Sequence, residues 1–245
     1  VTFYILAGYQ RHVRGSLEAV VKYLILGGVS SAFLVFGIAM VFGTTGTIEF
    51  ARLAALLVAD KTPVAQPLFQ LGMLLILVGL GFKIAAVPFQ LWVPDVYQGA
   101  PVPVTAFLAV GSKAAGFALL MRIFLGVAPI GLLHWQNLFL VLAAATILFG
   151  NLCALPQRNL KRLLGYSSIA HAGYMLMGLS ALSLAGAAAL LYYLSGYLFT
   201  VLAAFAVIAL VMREAGAEDL SALSGLGQRS PFLAATMTLA MVSLA

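Results

Sequence analysis

No Asp, Glu, Lys or Arg occurs between Leu163 and Met212, and none between Tyr23 and Ile48. A helix that crosses the hydrocarbon core of a bilayer needs about 20 mostly apolar residues. Each of these runs is long enough, and similar apolar runs recur along the chain. Composition enters only as a check. At 63% hydrophobic and 8% charged residues, with mean hydropathy +1.09, the chain has too few charges to wet a 25.8 kDa globule. This excludes a soluble domain, a disordered chain and a nucleic-acid binder, and leaves an integral membrane protein. The net charge of +6 needs no nucleic acid, because Lys and Arg collect on the cytoplasmic loops of membrane proteins.

The runs predict an all-α, polytopic transmembrane bundle. Spans are expected over 17–42, 67–92, 102–126, 134–156, 164–183 and 186–212, with partial helices at 1–9 and 231–245. Continuous rather than alternating hydrophobicity argues against strands. The stretch TIEFARLAALLVA, inside the 43–66 connection, is amphipathic and suits the membrane interface. Both termini fall within apolar runs, so a longer parent chain is expected. The loops at 10–16, 93–101, 157–163 and 213–230 share one side and hold Arg11, Arg14, Arg158, Lys161, Arg162, Arg213 and Arg229. The other side holds Arg52 and Lys61, with Arg122 near a helix end. That asymmetry predicts that the first side is cytoplasmic.

Four titratable side chains interrupt the apolar runs. Lys83 precedes IAAVPF, and Lys113 sits in FLAVGSKAAGFALL. A lysine near the bilayer centre costs at least ~2.5–3.5 kcal/mol on insertion scales, so it is expected to face a bundle interior or a wet cavity. At 1.5 Å per residue, Lys83 and Lys113 lie about 13 Å from the same boundary, His171 about 12 Å and Lys22 about 9 Å. The four define a polar layer across the membrane plane. Each has a plainer reading. Lys22 can snorkel to the surface beside Glu18, one turn away. His171 can be a neutral inter-helix hydrogen-bonding group, and Ser167, Ser168 and Tyr174 on its helix can be packing contacts.

Pro88 lacks an N–H, so it removes the helical partner of the Ile84 carbonyl. A break at membrane depth is tolerated only inside protein or against a cavity. A break beside a buried lysine is the arrangement expected of an ion or proton site. Cofactor signals are missing from the sequence. One cysteine, Cys153, excludes a disulfide framework or a multi-cysteine metal site, and Gly79–Gly81 is a weak fragment within a span.

The segment GFKIAAVPFQLWVPDVYQGAPVPVTAFLAVGSKAAGFALLMRIF (81–124) resembles the antiporter-like subunits of respiratory complex I. WVPDVYQGAPVPV, followed by SK, points within them to the subunit N group, relatives of mitochondrial chain 2. SLEAVVKYLILG (16–27) and FGNLCALPQRNLKRLLGYSSIAHAGYMLMGL (149–179) extend the likeness. The resemblance implies an antiporter-like fold of two inverted five-helix repeats, each with a broken helix. It implies a proton-translocating membrane subunit of NADH:quinone oxidoreductase in a bacterial inner membrane, assembled with other membrane subunits. Lys83 then corresponds to the broken-helix lysine, Lys113 to that of the next helix and Lys22 to that of the preceding one. A family glutamate is expected upstream of Val1 and a further lysine beyond Ala245. NADH, flavin, iron–sulfur clusters and quinone are expected on partner subunits, with no cofactor or metal on this chain. Two alternatives stand beside this reading: a subunit of a multisubunit sodium/proton antiporter, and a purely structural helix bundle.

Overall fold

A computed structural model describes residues 2–10, 12–60, 62–127 and 135–244. Of the cations counted above, Arg11 and Lys61 lie outside the described residues, as does the side chain of Arg14. The described residues form an all-α bundle without strands. A short helix α1 (Thr2–Ala7) leads to α2 (Arg14–Thr45), which ends on Gly46 in the left-handed conformation. Two small helices follow, α3 (Phe50–Ala59) and α4 (Thr62–Ala65). In α3, Leu53 and Leu57 are buried while Arg52 and Val58 are exposed, as expected of a helix lying along an interface.

Next comes α5 (Pro67–Ile84), which opens on Pro67, a residue suited to the first helical turn. The helix expected over 67–92 stops at Ile84. Ala85 adopts φ +65°, and the Ala86 N–H bonds the Gly81 carbonyl at 2.9 Å. This is a reversed helix terminus of the Schellman type, with Pro88 soon after it. The expected break is therefore a true end followed by a linker, not a kink in a continuing helix. The peptide Val87–Pro88 is cis. The linker is held from both sides. The Trp92 indole N–H donates to the Phe82 carbonyl at 2.9 Å, and the Val87 N–H donates to the Thr146 hydroxyl at 3.0 Å.

The chain then forms a short helix, α6 (Val93–Gly99), and turns back through α7 (Val102–Phe107). A π-helical turn (Leu108–Ser112) passes directly into α8 (Lys113–Gly126). The remaining long helices are α9 (Trp135–Ala154), α10 (Leu160–Ser180) and α11 (Leu184–Ala215). The short α12 (Leu226–Arg229) and the apolar α13 (Pro231–Ser243) complete the described chain. Among the described residues, five segments are long and apolar enough to cross a membrane: 15–45, 67–84, 102–126, 135–154 and 184–215.

α10 carries more polar residues than these, yet it is the most enclosed helix. Its Ser168, Ile169, Ala170, His171, Ala172 and Gly173 are all buried in succession. Close packing on α9 permits this. A Cβ at Gly173 would lie 2.9 Å from the Ala143 carbonyl oxygen, so only glycine allows this approach. Two apolar clusters support the bundle. One gathers Tyr23, Phe82, Trp92, Tyr97, Phe205 and Ile208 around α6; the other gathers Phe69, Met73, Phe117, Phe124, Phe139 and Leu176 nearer the opposite end.

Candidate functional site

The buried polar groups converge on Ser168. Lys113 follows the π-helical turn and is only 2% exposed. Its ammonium donates to the Ser168 carbonyl and, at 2.5 Å, to the Ser168 hydroxyl. It also lies over the Tyr197 ring, 5.3 Å from the centroid. The Tyr197 hydroxyl donates to the Ser168 oxygen at 3.0 Å, and the Tyr97 hydroxyl lies 3.1 Å from it. A serine hydroxyl has two lone pairs and one proton. With Lys113 and Tyr197 filling both lone pairs, the Ser168 proton must point to Tyr97. Were Lys113 neutral and accepting, the Ser168 proton could turn toward it and Tyr97 would donate instead. The hydroxyl direction therefore follows the charge on the amine.

His171 stands one turn beyond Ser168. Its Nδ1 lies 2.5 Å from the Tyr193 hydroxyl, and its ring centroid is 5.0 Å from that of Tyr197. These residues border a cavity of about 300 Å³ that also touches Thr200, Ser243 and Leu244. Lys113 and His171 thus share one polar neighbourhood.

Lys83 approaches from the other side. It occupies the last turn of α5 and is half-buried, with its ammonium 5.8 Å from the Phe82 centroid. The backbone at this end sits against Gly116, one turn past Lys113. A Cβ there would lie 2.6 Å from Ile84 Cγ2 and 3.5 Å from Lys83 Cβ. The broken end of α5 can press onto α8 because position 116 lacks a side chain. Among the described residues, none of the ion pairs includes Lys83 or Lys113.

Lys22 lies elsewhere. Its side chain is 43% exposed, and its ammonium lies 2.6 Å from both Glu18 and Asp95. The second carboxylate oxygen of Asp95 accepts from Arg162 at 2.7 Å, and Arg162 also donates to Gln98 at 3.1 Å. A neighbouring pair joins Lys161 to Glu218 at 2.9 Å, with Asn159 donating to the same carboxylate. Of these groups, Glu18, Asp95, Gln98, Lys161, Arg162 and Glu218 line a cavity of about 330 Å³ at the end of the bundle that carries α6. Burial pushes the Asp95 carboxyl up, but the hydrogen bonds from Lys22 and Arg162, with their charges, outweigh it and hold the carboxyl below its ordinary 3.8.

Of the expected layer, the structure brings Lys113 and His171 together, sets Lys83 against the same helix, and places Lys22 in a surface ion cluster. The sequence reading treated Ser168 as a packing contact and gave no role to Asp95, Tyr97 or Tyr197. Asp95 carries the one available signal, as a carboxylate in an otherwise uncharged stretch from Ile84 to Ser112. The tyrosines give none, because an apolar helix hides which face meets a partner.

Residues 1–245 match the family described as NADH:quinone oxidoreductase/Mrp antiporter, transmembrane. NADH-quinone oxidoreductase subunit N of Desulforamulus reducens is 45% identical across all of this chain, which covers 51% of that protein. A chain of respiratory complex I from Thermus thermophilus, solved with bound aureothin, superposes with a TM-score of 0.81 at 39% identity. The match covers 99% of this chain and 51% of that one. A chain of the Mrp complex from Dietzia sp. gives a TM-score of 0.84 at 24% identity over 94% of this chain and 42% of its own, a likeness of fold alone. The chain spans about half the length of the curated relatives it matches.

Proposed function

Since this chain belongs to the NADH:quinone oxidoreductase/Mrp antiporter transmembrane family, we propose that it forms the central part of a proton-translocating membrane subunit of a quinone-reducing respiratory complex. Quinone reduction elsewhere in the assembly supplies the energy. NADH, flavin, iron–sulfur clusters and quinone reside on partner subunits, and this chain moves protons. Its ends bearing 10–16, 93–101, 157–163 and 213–230 face the cytoplasm of a bacterial cell, in keeping with the excess of Lys and Arg there.

The observation that carries the reading is Lys113. An amine 2% exposed within an apolar bundle, with no carboxylate paired to it among the described residues, is costly to keep charged. Its hydrogen bonds to Ser168 offset part of that cost and give the proton a route. Loading Lys113 fixes the Ser168 hydroxyl in one direction, and unloading frees it to reverse. Lys83 acts across Gly116 as the neighbouring charge. When Lys83 is protonated, repulsion favours release from Lys113; when it is neutral, Lys113 can reload. His171 and Tyr193 extend the polar path beyond Tyr197 into the 300 Å³ cavity. Lys22 serves at the cytoplasmic entrance, where water reaches it. Cation exchangers share the fold, but 45% identity to a subunit N favours the quinone-linked reading.

The test replaces Lys113 or Lys83 by methionine in the complete complex. Inverted vesicles then report NADH oxidation and proton uptake together. Each variant is expected to lower proton uptake about tenfold or more, the effect of one lost charge-assisted step. Wild-type proton-to-electron stoichiometry in both variants would overturn the reading.

A further inference from the structure

α6 carries two polar contacts on different faces within three residues. Asp95 faces the surface cavity and is gripped by Lys22 of α2 and Arg162 of α10. Tyr97 points inward, fully buried, and its hydroxyl meets Ser168. A helix of this length is a single rigid body, so fixing one face fixes the other. α6 is also held where Gln98 accepts from Arg162 at 3.1 Å and the Tyr97 carbonyl accepts from Thr105 at 3.2 Å, but Asp95 is its one charged side chain. Its first turn follows the linker, and its last residue, Gly99, is followed by Ala100 and Pro101. Arg162 and Ser168 both belong to α10, so the two grips act between the same pair of helices.

We propose that Asp95 is a positioning residue: its ion pairs with Lys22 and Arg162 set the orientation of α6 and so hold the Tyr97 hydroxyl where it completes the Ser168–Lys113 network. The state of the surface cluster and the loading of the buried lysine are coupled through α6, with no direct contact between Asp95 and Lys113 required. Among the described residues, the charged groups around Asp95 come from three parts of the chain. Lys22 and Glu18 come from α2, Arg162 and Lys161 from α10, and Glu218 from the segment after α11. Glu18 competes with Asp95 for Lys22, since both oxygens lie 2.6 Å from the same ammonium. Removing the Asp95 charge therefore leaves Lys22 on Glu18, frees Arg162 and loosens α6. The inference rests on the proton-path reading of Lys113.

The experiment uses the complete complex in inverted vesicles. Asp95→Asn keeps the size of the side chain and removes its charge; Asp95→Glu restores the charge. Tyr97→Phe removes only the inner hydroxyl. Asp95→Asn is expected to lower the initial rate of NADH-driven proton uptake about two- to thirtyfold, the range seen for residues that couple sites without touching them. It is also expected to displace the pH profile of that rate, and Asp95→Glu to return both toward wild type. Tyr97→Phe is expected to displace the profile in the same sense. Were Asp95→Asn not to assemble, Tyr97→Phe decides alone, and an unchanged profile in it overturns the proposal. An assembled Asp95→Asn variant with wild-type rate and profile also overturns it. Lys113→Met separates the two readings. If it pumps normally, the proton path itself falls; if it stops pumping while Asp95→Asn and Tyr97→Phe behave as wild type, only the coupling falls.

Discussion

Ser168 shows how much one hydroxyl can decide. Replacing it by alanine leaves its backbone carbonyl as the sole acceptor it offers Lys113 and strands the Tyr97 and Tyr197 hydroxyls. Hydrogen bonds to charged groups contribute about 1.5–3 kcal/mol. Ser168→Ala is therefore expected to slow proton uptake about tenfold or more, while Ser168→Thr keeps most of it; vesicle assays of the pair check this. Asp95 gives a pH test whose sign follows from its depressed carboxyl. A carboxyl held below its ordinary value contributes stability that is present above that value and is lost as pH falls through the folded one. The difference in thermal stability between wild type and Asp95→Asn should stay constant from about pH 5 to 8 and shrink below about pH 4. At this scale the sequence was a partial guide. Lys83 and Lys113 are conspicuous because charge in an apolar run is rare. Ser168 and Tyr97 are not, because their importance lies in a meeting between helices far apart in the chain.

Among the elements, the end of α5 is the most informative. Pro88 announced an interruption, and the helix terminates at Ile84, the residue whose carbonyl Pro88 cannot serve. The terminating residue is Ala85 at φ +65°, where a non-glycine residue pays a steric penalty of about 1–2 kcal/mol. Nothing in an Ile-Ala-Ala-Val string marks a left-handed turn, so proline located the break but not the residue that makes it. Ala85→Gly is expected to raise the thermal stability of the membrane arm or leave it unchanged. Ala85→Val should lower it by more than 1 kcal/mol on the same scale. A melt of the purified complex distinguishes the two. α10 teaches the reverse lesson. Its hydropathy is diluted by Lys161, Arg162, the paired serines and His171, yet it is the most enclosed helix. Polarity in a helix wrapped by neighbours signals an interior path.

For the whole molecule, the proposed orientation rests on where the charges gather. α6, the start of α10 and the segment after α11 meet at one end, stitched by Lys22–Asp95–Arg162 and by the Leu220 N–H on the Arg158 carbonyl. A membrane-impermeant maleimide should label Glu214→Cys from the cytoplasmic side and Glu49→Cys from the opposite side, both in a Cys153→Ser background. Labelling with the sides exchanged would invert the topology. The helical class was readable from the long apolar runs, which charges such as Lys83 and Lys113 interrupt without ending. Which helices face each other was not, since a uniformly apolar helix carries little amphipathic pattern to orient it. One consequence concerns the rings around the linker. Tyr4, Tyr23, Trp92, Tyr97 and Phe205 follow one another at centroid spacings of 4.7 to 6.4 Å, from α1 across to α11. They belong to the apolar cluster around α6, the helix that carries Asp95 at the surface cavity and Tyr97 at Ser168. In the proposed proton path they act, in electrical language, as the dielectric of a capacitor, and a charge separator without one would short-circuit. Thinning that layer with Trp92→Ala should let an imposed proton gradient run down faster through the resting complex, as a fluorescent pH dye inside sealed liposomes would register.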